Sequence, residues 1–229
     1  METSPCDPRL VVAVDGPSGA GKSTVARGVA TRLGLRYLDT GALYRAVTWL
    51  VLREGIEPDD EPAVRRLADS ARLDVDTDPI SPAVRIAGVD VTAAVRSPEV
   101  SAHVSAVAAQ AAVRAQLLRV QHAVIGEGGI VVEGRDIGTT VAPDAGVKIF
   151  LTASADARAA RRHRQPGEAA GGVDATRNEL ERRDAHDSGR AASPFRKADD
   201  AIEVDSTELS IDAVVDLIVA RCRVRVKTS

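Results

Sequence analysis

Short apolar runs separated by longer stretches of helical periodicity set the rhythm of this chain. Residues 10–14 (Leu10-Val11-Val12-Ala13-Val14), 35–38, 130–132, 147–151 and 201–204 read as strands of a buried sheet, because they are short apolar runs rather than alternating ones. Between them, helical patterns cover 23–33, 43–54, 99–124, 155–164, 176–185 and 211–224, with Gly34 where a helix should stop. Strands alternating with helices predict an α/β fold: a five-stranded parallel sheet flanked by crossover helices. Residues 72–95 break the rhythm. There Val84-Arg85-Ile86 and Val89-Asp90-Val91 flank Ala87-Gly88, which predicts a short hairpin inside an insertion rather than a strand of the main sheet. Residues 165–174 are glycine-rich and nearly devoid of bulky side chains, so they predict a flexible loop between two arginine-rich helices, a place to build a moving lid.

With 229 residues and 44% hydrophobic content, the chain can bury one substantial core, and a single domain is expected. Its parts are a core at about 9–70 and 125–225, an insertion at about 71–100 and a lid at about 158–190. The two cysteines, Cys6 and Cys222, stand at opposite ends, which fits neither a disulfide framework nor a metal site and suits a reducing compartment. No leader pattern opens the chain and no run approaches the roughly 20 apolar residues of a membrane span, so a cytoplasmic protein with no membrane partner is expected. A net charge of -3 and 2% aromatics argue against a nucleic-acid surface, and any positive potential must be made locally.

Immediately after the first apolar run stands Gly16-Pro17-Ser18-Gly19-Ala20-Gly21-Lys22-Ser23, which fits G-x-x-x-x-G-K-[ST] where a strand should turn into a helix. The glycines let successive N–H groups point into one concavity, and the positive end of the next helix reinforces it as a phosphate cradle. Lys22 supplies a point charge for β- and γ-phosphates, and Ser23 a hydroxyl for Mg²⁺. Two further polar segments follow strands: Asp39-Thr40-Gly41-Ala42-Leu43-Tyr44-Arg45 and Glu133-Gly134-Arg135-Asp136-Ile137-Gly138-Thr139. In a parallel sheet the carboxyl ends of strands share one ligand crevice, so all three segments converge there. Plainer readings stay open: a capping turn with Arg45 exposed, a solvated strand end at Glu133, and a structural salt bridge from Asp136 to Arg135 or another arginine.

Only four of the 30 basic residues are lysines, a bias that codon preference explains as well as anion binding does. Arg158, Arg161 and Arg162 fall on one helix face by their i, i+3, i+4 spacing, either as lid groups that reach phosphates or as a solvated basic face. His103, His122, His163 and His186 show no pairing pattern and read as surface or packing residues.

From Val12 to about Val219 the chain resembles the bacterial cytidylate kinases, a branch of the nucleoside monophosphate kinases. The resemblance rests on the phosphate loop through Thr24, on Tyr37-Leu38 with the Asp39 to Arg45 segment, on Glu133 to Thr139, on Val147-Lys148-Ile149-Phe150-Leu151 and on Asp205-Ser206-Thr207-x-Leu209-Ser210. It implies ATP at Gly16, Pro17, Ser18, Gly19, Ala20, Gly21, Lys22, Ser23 and Thr24, with Mg²⁺ at Ser23. It implies that Thr40 and Arg45 hold the acceptor phosphate, with Asp39 also among the substrate-binding residues, and that Ser105, Arg114, Arg135 and Asp136 line a cytidine pocket. Asp187, Arg190 and Arg183 then sit near the pentose and phosphates. Thr40 replaces the serine of many relatives, and Glu133 an aspartate.

The implied reaction is transfer of the γ-phosphoryl group of ATP to CMP or dCMP by a monomer. Two polyanions must meet, so Lys22, Arg135, Arg158, Arg162 and Arg183 are expected to offset charge around the moving group. A phosphate acceptor is already anionic near neutrality, so no general base is required. A kinase for a hydroxyl acceptor such as shikimate would call for one. A guanine-nucleotide switch would need Asn-Lys-x-Asp, yet the only asparagine, Asn178, precedes Glu179.

Overall fold

The computed structural model describes residues 7–164, 172–190 and 193–226. Strands β1 (Val11–Asp15), β2 (Arg36–Asp39), β6 (Ile130–Gly134), β7 (Val147–Thr152) and β8 (Ile202–Asp205) form one parallel sheet in the spatial order β2-β6-β1-β7-β8. All five expected strands are present, within two residues of their predicted ends. β1, β2 and β6 contribute to both faces, whereas β7 and β8 add apolar residues to one. Val12, Val14, Val131, Ile149 and Leu151 pack with α1 (Lys22–Leu33) and α8 (Ile211–Val226), while Ala13, Leu38, Ile130 and Val132 pack against α2 (Thr40–Arg53) and the helices after it. Burial on both sides is why the central strands β1 and β6 read as apolar runs, while β8 at the rim is mostly exposed.

Two helical expectations need correction. Helix α3 (Glu61–Ser70) was not anticipated, although Asp60 caps it by accepting from Ala63 N–H at 3.1 Å and Pro62 stands in its first turn. The helix predicted over 99–124 is two, α4 (Pro98–Ala109) and α5 (Ala111–Ile125), separated by an extended Gln110 whose side-chain amide donates to the Pro58 carbonyl at 2.7 Å. The break matters for the site. In one unbroken helix, Ser105 and Arg114 would stand about 180° apart; divided at Gln110, both line one cavity.

The insertion is a separate antiparallel sheet of β3 (Leu73–Asp76), β4 (Ala83–Ile86) and β5 (Val89–Asp90). Its hairpin turn Ala87-Gly88 has φ of 50° and 78°, the positive pair that a two-residue primed turn demands. The first strand was missed, though Leu73-Asp74-Val75-Asp76 alternates with period two and pairs with β4. This sheet is more than an appendage: Val84, Ile86 and Val91 enter the core beneath α2. Its connecting loop is also tied to the main fold, where Thr77 carbonyl accepts from Tyr37 N–H of β2 at 2.8 Å and Arg27 of α1 donates to the Pro79 and Ile80 carbonyls, each at 2.7 Å.

Helices α6 (Ala155–His163) and α7 (Gly172–Ser188) bracket the predicted lid loop, of which 165–171 lies outside the described residues.

Candidate active site

Three strand ends do meet in one crevice, opened by the phosphate loop after β1. At Gly16 any side chain is excluded, because an added Cβ would lie 2.1 Å from the Leu151 carbonyl oxygen of β7. Gly21 precedes α1 with φ 93°, and the helix then points its free N–H groups at the loop. Lys22 folds over this loop, donating to the Pro17 carbonyl at 2.9 Å. Burial and the nearby Arg135 push its ammonium below the usual lysine range.

Two cavities open from this point. One, of about 1050 Å³, runs from the phosphate loop past Arg161 and Arg162 to Ser206 and Leu209. The other, of about 180 Å³, lies on the far side of Lys22 and Ser23, between α2, α4, α5 and α7. Lys22, Ser23, Asp39, Arg96 and Arg162 line both, so a donor and an acceptor placed in the two would meet over Lys22.

The smaller cavity collects most of the expected residues. Thr40, Arg45, Ser105, Arg114, Arg135, Asp136, Arg183, Asp187 and Arg190 all line it. Asp39 caps α2, accepting from Ala42 N–H at 3.0 Å, and pairs with Arg96 at 3.2 Å. The capping reading of this turn is therefore right, but Arg45 is not exposed: it donates to Ser101 Oγ at 2.9 Å. Burial, then the neighbouring Arg183 and Arg162, push the Arg45 pKa down to about 9. Arg183 is lowered by burial and then by Arg135 and Arg162, and its Nε has no hydrogen-bond partner. Thr40 differs from the expectation in one respect, since its hydroxyl donates to the Glu133 carbonyl at 2.7 Å and that proton is not directed at the cavity.

Asp136 is bonded to Arg114, with both side chains under 10% exposed. The salt bridge foreseen as an alternative is real, but its partner is Arg114 and not Arg135. The Arg114 guanidinium also lies over the Tyr44 ring, 5.4 Å from its centroid. Arg135 instead bridges the two sides of the crevice: Nε to Asp187 at 2.9 Å, one terminal nitrogen to the Gly16 carbonyl at 2.6 Å and the other to Ser18 Oγ.

The three arginines of α6 do not act alike. Arg158 lines neither cavity; it donates to the Ser18 carbonyl at 3.0 Å and to Asp184 at 2.5 Å. Asp184 in turn accepts from Ser18 N–H at 3.0 Å. All three polar groups of Ser18 are thus gripped, by α6, α7 and the turn after β6. Arg161 donates to Ser206 Oγ at 2.9 Å and to its carbonyl at 2.5 Å, and only Arg162 faces both cavities.

Glu133 is 3% exposed, which rules out a solvated strand end. Tyr37 of β2 donates its hydroxyl to this carboxylate and Ser23 stands beside it. Burial raises the Glu133 pKa, while Lys22 opposes the rise. Buried carboxylate and hydroxyl oxygens suit a hard cation such as Mg²⁺, which takes one or two protein ligands and completes its shell with phosphate and water. No group of three or more His, Cys, Asp or Glu gathers as a metal site among the described residues, consistent with such sparse ligation.

His103, His122 and His186 are exposed, and His122 Nε2 pairs with the Val141 carbonyl at 2.9 Å, so these histidines are structural or superficial. The sequence reading overlooked Tyr37, Arg96 and Asp184. For Asp184 a signal existed: it lies three residues before Asp187 on the same helix face, between Arg183 and Arg190.

The cytidylate kinase family model matches residues 12–224. The chain is 52% identical over 219 residues to a cytidylate kinase of Streptomyces coelicolor, covering 94% of each chain. It is 51% identical over 211 residues to one of Mycobacterium avium, covering 90% of this chain and 92% of that one. Among solved structures, a gluconokinase from Sinorhizobium meliloti 1021 superposes with a TM-score of 0.50 at 16% identity over 96% of each chain, a likeness of fold alone.

Proposed function

Because the chain belongs to the cytidylate kinase family, it is a nucleoside monophosphate kinase that moves the γ-phosphoryl group of ATP onto CMP or dCMP, and we propose that its crevice does so by positioning and charge compensation alone. Lys22 and the loop amides hold the donor phosphates. Ser23 and Glu133 would hold Mg²⁺, which when bound neutralises charge between the β- and γ-phosphates. Arg45, with the N-terminus of α2, takes the acceptor phosphate. Arg162, Arg183 and Arg135 surround the phosphoryl group as it crosses. Asp136 and Arg114, flanked by Ser105, read the cytosine amino group and ring nitrogen, and Asp187 and Arg190 take the pentose.

One observation carries this reading. Guanidinium groups of Arg45, Arg162 and Arg183 line one cavity, where burial and then like charge lower the proton affinity of Arg45, next to Arg183 and Arg162, and of Arg183, next to Arg135 and Arg162. Like charges held together in low dielectric are stable only where an anion completes the cluster. An acceptor phosphate is anionic at neutral pH, so no base is needed. The insertion near 71–100 and the lid near 158–190 are the parts that close on the nucleotides, since Arg96 comes from one and Arg162 and Arg183 from the other. The proposed form is a monomer acting on free nucleotides in the cytoplasm. No helix among the described residues is long and apolar enough to cross a membrane.

The test is a coupled assay with ATP and Mg²⁺ across CMP, dCMP, UMP, AMP and GMP, on the wild type and Asp136→Asn. The wild type should prefer CMP and dCMP. The variant should lose that preference over UMP by about ten- to a hundredfold, the consequence of an unmatched polar group in a dry pocket. Retained preference in the variant would remove Asp136 from base reading.

A further inference from the structure

Asp15 ends β1, one residue before the phosphate loop, and is 4% exposed. Its carboxylate turns away from that loop and crosses to the segment after β6. There Oδ1 accepts from Ile137 N–H and Oδ2 from Gly138 N–H, each at 2.8 Å. The two amides open a short π-helical turn, Ile137–Val141, so neither has a partner within it. They also follow directly on Arg135 and Asp136. Gripping the amides on both sides of Ile137 fixes two successive peptide planes, and with them the direction in which Asp136 leaves the backbone. Nothing in the phosphate-cradling function of β1 asks for a carboxylate here. Burial pushes the Asp15 pKa up to about 6, with Asp136 adding repulsion and Lys22 opposing it, so ionised Asp15 is held at a cost.

We propose that Asp15 is a positioning residue for nucleobase selection: by holding the Ile137 and Gly138 amides it keeps the Asp136 carboxylate aligned with Arg114 and so sets the preference for cytosine over uracil. The proposal rests on the reading of Asp136 and Arg114 as the base-recognising pair. An asparagine at this position matches the shape but offers one acceptor oxygen, and its NH₂ group faces an N–H. In the full chain, Asp15→Asn should lower the CMP-to-UMP ratio of kcat/KM by about tenfold, through KM for the acceptor, with KM for ATP changed less than about threefold. A merely structural role would reduce activity toward both acceptors together and leave the ratio intact. Asp136→Asn serves as the reference. A ratio that falls in Asp136→Asn but holds in Asp15→Asn overturns the role of Asp15 alone; a ratio that holds in both overturns the base reading first. If Asp15→Asn shows no cooperative thermal melt, Gly138→Ala presses on the same contact, since its Cβ would lie 3.4 Å from Asp15 Oδ2 and 3.2 Å from Lys148 Cδ. A lowered ratio in that variant supports the proposal, and an unchanged one overturns it.

Discussion

On the donor side of the crevice, Arg158 and Arg161 are committed to protein acceptors: the Ser18 carbonyl and Asp184 for one, Ser206 for the other. On the acceptor side, Arg45 and Arg183 stand among other guanidinium groups, and burial with mutual repulsion weakens their hold on protons. The contrast separates two uses of one residue type. Donor-side arginines brace the protein around the phosphate loop, the charge of Arg158 answered by Asp184 and the N–H groups of Arg161 by neutral oxygens. On the proposed function, the incoming phosphate is the anion around which the acceptor-side arginines gather. A kinase built this way has a pre-shaped donor site and an acceptor site completed by its substrate.

The largest effect expected from this contrast is in Arg45→Ala. Loss of a charge-assisted contact worth about 1.5–3 kcal/mol should reduce kcat/KM for CMP by about ten- to a hundredfold, while KM for ATP stays within about threefold. Steady-state kinetics with each substrate varied in turn decides it, and equal losses for both substrates would erase the distinction between the sides. Arg158→Ala should lower kcat about tenfold through the loop, leaving the CMP KM nearly unchanged. Asp184→Ala should do the same, and the double variant should be little worse than either, because both act on Ser18 and on each other. Additive losses would mean that Arg158 touches phosphate after all. Glu133→Gln should move the Mg²⁺ midpoint for nucleotide binding, read by calorimetry, upward by roughly tenfold without altering metal-free CMP binding.

The smallest effect is one of pH. An Asp15 pKa raised from 3.8 to about 6 means that the folded state takes up a proton more readily than the unfolded chain. The associated stability is present in full below the unfolded value and is lost as pH rises through the folded one. The difference in melting temperature between the wild type and Asp15→Asn should therefore shift in favour of the wild type on going from pH 7 to pH 4. Thermal melts at both pH values measure it, and a shift of opposite sign would show that the two amide bonds outweigh desolvation of the carboxylate.

Most of the fold was legible because local physics sets it. Short, mostly apolar runs identified all five strands, and the motifs after β1, β2 and β6 named residues that do meet. One failure has a distant cause: the Gln110 break depends on a bond to the Pro58 carbonyl, 52 residues away, and leaves no trace in nearest-neighbour periodicity. The Asp136–Arg114 pair was legible by contrast, since the family resemblance puts both residues in one base pocket and the structure bonds them. Arg158 misled for another reason: helical spacing says which residues share a face, but not that Asp184 and the Ser18 carbonyl would claim one of them first. The overlooked α3 and β3 were different, since their capping Asp60 and period-two alternation were present in the chain.

The loop that joins β3 to β4 bears on the solubility of the molecule. β2 lies at the rim of the main sheet, and a rim strand with open amides invites another chain to pair with it. The Thr77 carbonyl occupies the Tyr37 amide on that rim, and Arg27 fastens the same loop to α1. The segment that lines the larger cavity is thereby also a guard against self-association, and a version of this protein trimmed of it would be prone to aggregate even with its catalytic groups untouched.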